Sequence, residues 1–191
     1  MEREEIIEIF TKTGAMLTGH FLLTSGKHSN RYFQCAQVLQ HPQYTQVLCQ
    51  ALAESFKNQA VQTVIGPAMG GILVSYEVAR ALGVRSLFTE RVNGKMSLRR
   101  NFSIQPGERV LVVEDVITTG GSVAEVIDVV KGMGGEVVGV GVLVDRSNVR
   151  ANLGVRTEAL LTVAVETYEP ESCPLCAAGT PAVKPGSRQI T

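Results

Sequence analysis

Apolar residues run along the chain in two rhythms, and their alternation predicts an α/β fold. The run at 110–113, Val-Leu-Val-Val, has no polar face, so it predicts a strand buried on both sides, as in parallel sheets. Residues 136–144 repeat the pattern, and 63–66, 85–89 and 158–165 predict three shorter strands. Between the strands the period lengthens to that of a helix. Val123, Val126, Ile127, Val130 and Met133 fall on one stripe, and Tyr44, Val47, Leu48, Ala51, Leu52 and Phe56 on another. Ile72, Val74 and the run 78–82 form a third. A short charged helix with Ile6, Ile7 and Phe10 on one face opens the chain, and Gly14 ends it. Residues 19–33 read as a short strand, a polar turn and the aromatic pair Tyr32-Phe33, the outline of a hairpin. Residues 92–107 are polar, carry two glycines and show no clear period, which predicts a long functional loop. From 166 onward periodicity fades, and Pro170, Pro174, Pro181 and Pro185-Gly186 mark an irregular tail. Strands alternating with helices predict an open, mainly parallel sheet with helices on both sides.

Composition narrows the function. At 191 residues the chain is expected to form a single domain with its own core. Its 18 basic and 18 acidic side chains cancel, so no overall field draws it to nucleic acid or an anionic membrane. Any anion it binds must be held by a local site. No apolar run reaches membrane-spanning length, and the acidic start does not resemble a signal peptide, so a cytoplasmic protein is expected. Four cysteines, Cys35, Cys49, Cys173 and Cys176, are too few and too uneven for a secreted disulfide framework. Only Cys173-Pro-Leu-Cys176 has ligand spacing, but His20, His28 and His41 are far away in sequence. The pair is expected to close a tight turn.

The chemistry concentrates after the 110–113 strand. Glu114 and Asp115 follow it, then Val116, Ile117, Thr118, Thr119, Gly120, Gly121 and Ser122, leading into the helix that begins near Val123. Glycines let backbone N–H groups converge, hydroxyls add donors, and the helix dipole points its positive end at the turn. Such a turn suits a phosphate, while the acids before it suit sugar hydroxyls. The stretch therefore reads as a cradle for a ribose 5-phosphate. Its spacing is neither that of a Walker loop nor that of a Rossmann glycine fingerprint. A second strand–Gly turn–helix corner, Pro67-Ala-Met-Gly-Gly71, offers another anion site. Arg146 emerges beyond the 136–144 strand, on the edge where ligands of open α/β sheets sit, and a guanidinium there suits a carboxylate.

The acid pair, Thr-Thr-Gly and final small hydroxyl stand in the order of the phosphoribosyl-diphosphate signature, and the stretch closely resembles that of type I phosphoribosyltransferases. Leu-Thr-Ser-Gly-Lys-His-Ser followed by Tyr32-Phe33 resembles the N-terminal hood of the orotate-specific members, which covers the pyrimidine. The resemblance implies a type I phosphoribosyltransferase fold, with a hood of about 1–40 plus the C-terminal tail, and a core of about 41–166. It implies transfer of ribose 5-phosphate from 5-phosphoribosyl 1-diphosphate to orotate, giving orotidine 5′-phosphate and diphosphate for pyrimidine synthesis. It assigns Glu114, Asp115 and Lys95 to catalysis, and Arg91 and Lys95 with residues 114–122 to the phosphoribosyl diphosphate. Thr118, Arg146, Tyr32 and Phe33 are assigned to orotate, and Mg²⁺ to Glu114 and Asp115, mainly through ligand and water. It implies a homodimer with shared active sites, residues 92–107 serving as the lid and Pro67–Gly71 as the pyrophosphate loop. The chain departs from better-known relatives at four cationic or histidine positions, now Thr24, Gly70, Val92 and Ser97, and Arg99 and Arg100 are candidate replacements. A purine or uracil phosphoribosyltransferase shares the signature, and the hood plus Arg146 argue for orotate. A ligand-sensing regulator shares the cradle and would be expected to add a basic face or a helix-turn-helix.

Overall fold

The apolar run at 110–113 lies in the middle of a six-stranded sheet, its four side chains fully shielded from solvent. The computed structural model describes residues 1–23, 25–147 and 153–185, so Thr24 and Gly186 lie outside the described residues. Helix α1 (Arg3–Lys12) precedes the strands β1 (Met16–Leu22) and β2 (His28–Phe33), a single helical turn α2 (Ala36–Leu39), and α3 (Pro42–Glu54). Next come β3 (Thr63–Pro67), α4 (Gly70–Leu82), β4 (Arg85–Val92), β5 (Lys95–Leu98), β6 (Arg109–Ile117) and α5 (Gly121–Gly132). Then β7 (Glu136–Asp145), β8 (Thr157–Thr162) and the two-residue β9 (Thr167–Tyr168) lead to a 3₁₀ turn (Pro170–Ser172) and α6 (Pro174–Ala177).

The large sheet runs β5-β4-β3-β6-β7-β8, parallel throughout except that β5 pairs antiparallel with β4. Helices cover both faces, as the alternating pattern predicts. On one side α1, α3 and α4 pack with Val64, Leu111, Val113 and Leu143; on the other, α5 packs on Ile65, Val110, Val112 and Val142. Leu48, Leu52 and Phe56 are wholly buried, each worth about 1.5–3 kcal/mol of apolar transfer. A second sheet, β1-β2-β9, is antiparallel and separate from the first.

Several expectations are corrected. The stripe assigned to α3 is rotated: Thr45 and Cys49 face inward with Leu48 and Leu52, whereas Val47 is exposed. Thr45 is tolerated inside because its hydroxyl donates to the His41 carbonyl at 3.2 Å, within the helix's own turn. Met133 lies one residue past α5 and is 36% exposed. The last strand of the large sheet ends at Thr162, although Val163 and Val165 remain buried beyond it. Residues 92–98 are no open loop but a hairpin, with β4 and β5 joined across Asn93-Gly94, both at positive φ. Asn-Gly suits the two-residue turn that matches strand twist, and Met96 is buried on the sheet while Lys95 is exposed. The tail carries regular structure as well. β9 adds backbone hydrogen bonds to the edge of β2, and the Cys173/Cys176 pair lies against His20 and His28 rather than merely closing a turn.

Candidate active site

The C-terminal ends of β3, β6 and β7 bring Glu114, Asp115, the 118–122 turn and Arg146 to one edge of the sheet. Glu114 and Asp115 lie on β6, and the β3–α4 corner packs directly against them. A Cβ on Gly70 would stand 2.4 Å from Asp115 Oδ2, and one on Gly71 3.2 Å from Glu114 Oε1. The two anion corners expected from the sequence therefore share a wall made of carboxylates. A lysine at position 70 would need Asp115 to move, so the missing cation and the seating of this acid are one structural fact.

Beyond Ile117, Thr118 and Thr119 are exposed, and Gly120, at φ +81°, turns the chain into α5. A side chain with a Cβ is disfavoured in that conformation. Ser122 lies in the first turn of α5, whose leading N–H groups have no partners inside the helix. Glu114 and residues 116–123 line a small polar cavity of ≈ 70 Å³. The Val116 N–H donates to Asp115 Oδ1 at 2.8 Å, which sets the direction of that carboxylate.

Burial, and then the charge of Asp115, push Glu114 up to about 9; burial likewise raises Asp115. Side by side in low dielectric, the two acids titrate as a pair. A carboxyl that keeps its proton to higher pH folded than unfolded makes the unfolded chain the poorer proton binder between the two values, so stability falls as pH rises through that window. We therefore expect the melting temperature of the ligand-free protein to fall between about pH 5 and pH 9, with a flatter profile for Glu114→Gln. Thermal melts across that range are the check. Parallel profiles for the two proteins would show that the pair is not the cause.

Arg146 follows β7, and its backbone N–H donates to the Ile117 carbonyl at 2.8 Å, tying it to the start of the 118–122 turn. Its guanidinium Nε is buried and has no hydrogen-bond partner among the described residues. Burial pulls its pKa down, but an arginine keeps its charge at neutral pH. The Phe33 ring lies 5.6 Å from the guanidinium carbon, and half-buried Tyr32 neighbours both this group and Phe21. Phe33 is in the core, so it braces Arg146 rather than standing free in the crevice. Asp145 pairs with no cation among the described residues: its Oδ1 accepts from the Ser147 N–H and hydroxyl, at 2.8 and 2.5 Å. Cys35, whose thiol donates to the Asp115 carbonyl at 3.7 Å, is held protonated by burial and by the adjacent acids, so it is no nucleophile.

Two expected residues are not brought to the acid pair. Arg91 is engaged by Glu125 of α5, at 2.7 and 3.0 Å, and by the Gly94 carbonyl. Lys95, opposite Val92 in the hairpin, is exposed, and its ammonium has no hydrogen bond or ion pair among the described residues. Of the candidate replacement cations, Arg100 pairs with Glu90 at 2.7 Å, and Arg99 is exposed.

A mainly parallel sheet with a Gly-rich turn behind an acid pair is the arrangement expected of a phosphoribosyltransferase; the phosphoribosyl transferase domain matches residues 34–152, and the chain belongs to that family. Its branch follows from the relatives. Orotate phosphoribosyltransferases of Desulforamulus reducens and Pelotomaculum thermopropionicum are 86% and 70% identical to it, each over 100% of both chains. The chain is thus a member of the orotate phosphoribosyltransferases. The crystal structure of the orotate phosphoribosyltransferase from Aeropyrum pernix superposes with a TM-score of 0.70 at 29% identity, covering 83% of this chain and 93% of that one.

Proposed function

We propose that this crevice transfers ribose 5-phosphate from 5-phosphoribosyl 1-diphosphate to orotate, with orotidine 5′-phosphate and diphosphate as products, on the route to UMP. The observation that carries the reading is Arg146: a half-buried guanidinium beside the 118–122 turn, its buried Nε without a partner among the described residues, suits an anionic, planar base. In this reading Thr118, Thr119, Gly120, Gly121 and Ser122 hold the 5-phosphate, and Glu114 and Asp115 accept from the ribose hydroxyls, with Val116 and Ile117 as backbone framework. Tyr32 and Thr118 flank orotate, and Phe33 holds the Arg146 plane.

Breaking the anomeric C–O bond builds positive charge on the sugar and negative charge on diphosphate, and the buried acids stabilise the former. Two oxygen-donor carboxylates with raised pKa and no cationic partner among the described residues fit Mg²⁺, which prefers such hard ligands and keeps part of its water. Bound there with the substrate, Mg²⁺ would neutralise charge on the diphosphate. Arg91 and Lys95 close over the leaving group when the β4–β5 hairpin folds down, which requires Arg91 to leave or share Glu125. Water is excluded by that closure.

The partner copy is proposed on a separate observation. Met69, Leu73 and Tyr76, at 83%, 48% and 62% exposure, line one face at the start of α4, beside the Gly70 corner. An apolar patch rimming a site favours a protein contact, and a second copy of the chain is its proposed occupant, which gives a homodimer with neighbouring sites. Light scattering is the check, with Tyr76→Glu expected to favour monomer; a single-chain mass for the unaltered protein would end this reading. Free, unpaired thiols among the described residues support work in a reducing compartment such as the cytoplasm.

The direct test supplies 5-phosphoribosyl 1-diphosphate and Mg²⁺ with orotate, uracil, adenine or hypoxanthine in turn. Product is expected with orotate alone. Turnover of a purine or of uracil would reassign the base, and ligand binding without any turnover would favour a regulator.

A further inference from the structure

Four metal-ligating side chains converge away from the crevice, between the small sheet and the tail. β1 contributes His20 and β2 contributes His28; Leu22 is paired with His28, and His20 lies two residues from Leu22 on the same face. From the other end of the chain, Cys173 follows the 3₁₀ turn and Cys176 lies in α6. One donor atom from each residue falls within 4.8 Å of all the others.

Three of the edges are close to those of a metal-centred tetrahedron. Sulfur-to-nitrogen separations are 3.5 Å (Cys173 to His20), 3.8 Å (Cys176 to His20) and 3.3 Å (Cys176 to His28). Zinc bonds of ~2.3 Å to sulfur and ~2.05 Å to nitrogen would set such an edge at ~3.6 Å. The two imidazole nitrogens, 2.7 Å apart, would need to open by about 0.6 Å to reach the ~3.3 Å edge of the same tetrahedron.

The ring of His20 is already oriented for this task. Its Nδ1 is 2.7 Å from the Thr180 carbonyl oxygen, which only accepts, so Nδ1 carries the proton and Nε2 turns a lone pair toward the two sulfurs. A carbonyl that fixes the tautomer of a ligating imidazole is a recurrent feature around metals. His20, His28 and Cys173 are also buried, at 3%, 9% and 2% exposure, an arrangement that is unfavourable for ionisable groups with no shared partner.

We propose that His20, His28, Cys173 and Cys176 form a structural Zn²⁺ site that fastens the β1–β2 hairpin to the C-terminal segment. Two thiolates select a soft or borderline cation over Mg²⁺, and four protein ligands leave no open position for catalysis. The neighbouring backbone belongs to the same fastening: Val183 N–H donates to the His20 carbonyl at 2.8 Å, and Leu22 N–H to the Val183 carbonyl at 2.9 Å. Because β2 also carries Tyr32 and Phe33, the metal would hold the hairpin that braces Arg146. The site stands whether or not the proposed reaction is correct.

The test is elemental analysis of the full chain purified without chelators, with about one zinc per chain expected. Zinc-edge X-ray absorption is expected to show two sulfur and two nitrogen neighbours. The Cys173→Ser/Cys176→Ser double variant should lose the zinc. As a variant can fail to fold, the unaltered protein is also treated with a zinc-selective chelator while Mg²⁺ is kept constant; its melting temperature should fall, and Zn²⁺ should restore it. Replacement by Co²⁺ should give a tetrahedral thiolate spectrum. A metal-free protein that takes up neither Zn²⁺ nor Co²⁺ would overturn the proposal. Zinc retained by the double variant, or a native mass two hydrogens lower with Cys173 bonded to Cys176, would do the same.

Discussion

Asp115→Asn should lose at least about 10²–10³-fold in turnover, the range seen when one preorganised electrostatic group is removed from an active site, while the fold is kept. The amide matches the carboxylate in shape, so it still fits over Gly70, and its oxygen can still accept from the Val116 N–H. What disappears is a negative charge beside the proposed position of the sugar. The same change should raise the melting temperature of the ligand-free protein at neutral pH. Two acids side by side repel, and desolvation already pushes both toward their neutral forms. A site that is more stable and less active after one isosteric change is the trade-off expected where electrostatic strain serves function. Steady-state kinetics and thermal melts on one preparation test both halves. Unchanged turnover would remove Asp115 from the mechanism; turnover lost together with folded-state circular dichroism would leave only a structural role.

This site was legible because its chemistry is contiguous. The strand, both acids, the phosphate turn and the helix start occupy one unbroken stretch, and each part has a local signal: shielded apolar residues, glycines and hydroxyls. Arg146 was legible for a topological reason, since parallel strands end on the same edge. The missed features depend on backbone pairing or on distance along the chain. β9 joins β2 through main-chain hydrogen bonds, which leave no apolar rhythm in two residues. The β4–β5 hairpin did carry a signal, Asn93-Gly94 before the alternation of Lys95, Met96, Ser97 and Leu98, but its polar composition masked it. The position of Arg91 follows from Glu125, 34 residues away, which no local pattern connects to it. His20 and Cys173, 153 residues apart, meet only once β9 has brought the tail back to the hood.

Arg146→Ala should raise the KM for orotate and lower kcat/KM for it by about 10²–10³-fold, with the KM for 5-phosphoribosyl 1-diphosphate changed little. Hydrogen bonds to a charged group are worth about 1.5–3 kcal/mol each, and a guanidinium can offer a carboxylate two. Two such bonds, at the lower end of that range, give about 3 kcal/mol, or roughly a hundredfold. Lysine should not rescue the loss. Its ammonium lacks the planar fork that a guanidinium offers a carboxylate. Truncation should be mild for the fold, because the Nε it removes has no protein partner among the described residues and the backbone bond from Arg146 to Ile117 survives. Initial rates with each substrate varied in turn separate the outcomes. An unchanged KM for orotate, or a loss shared equally with the phosphoribosyl donor, would move Arg146 from base recognition to the phosphate side of the crevice. In that event Tyr32 and Thr118 would be left to distinguish orotate from uracil without a cation, and the base panel would be expected to show poor discrimination between the two.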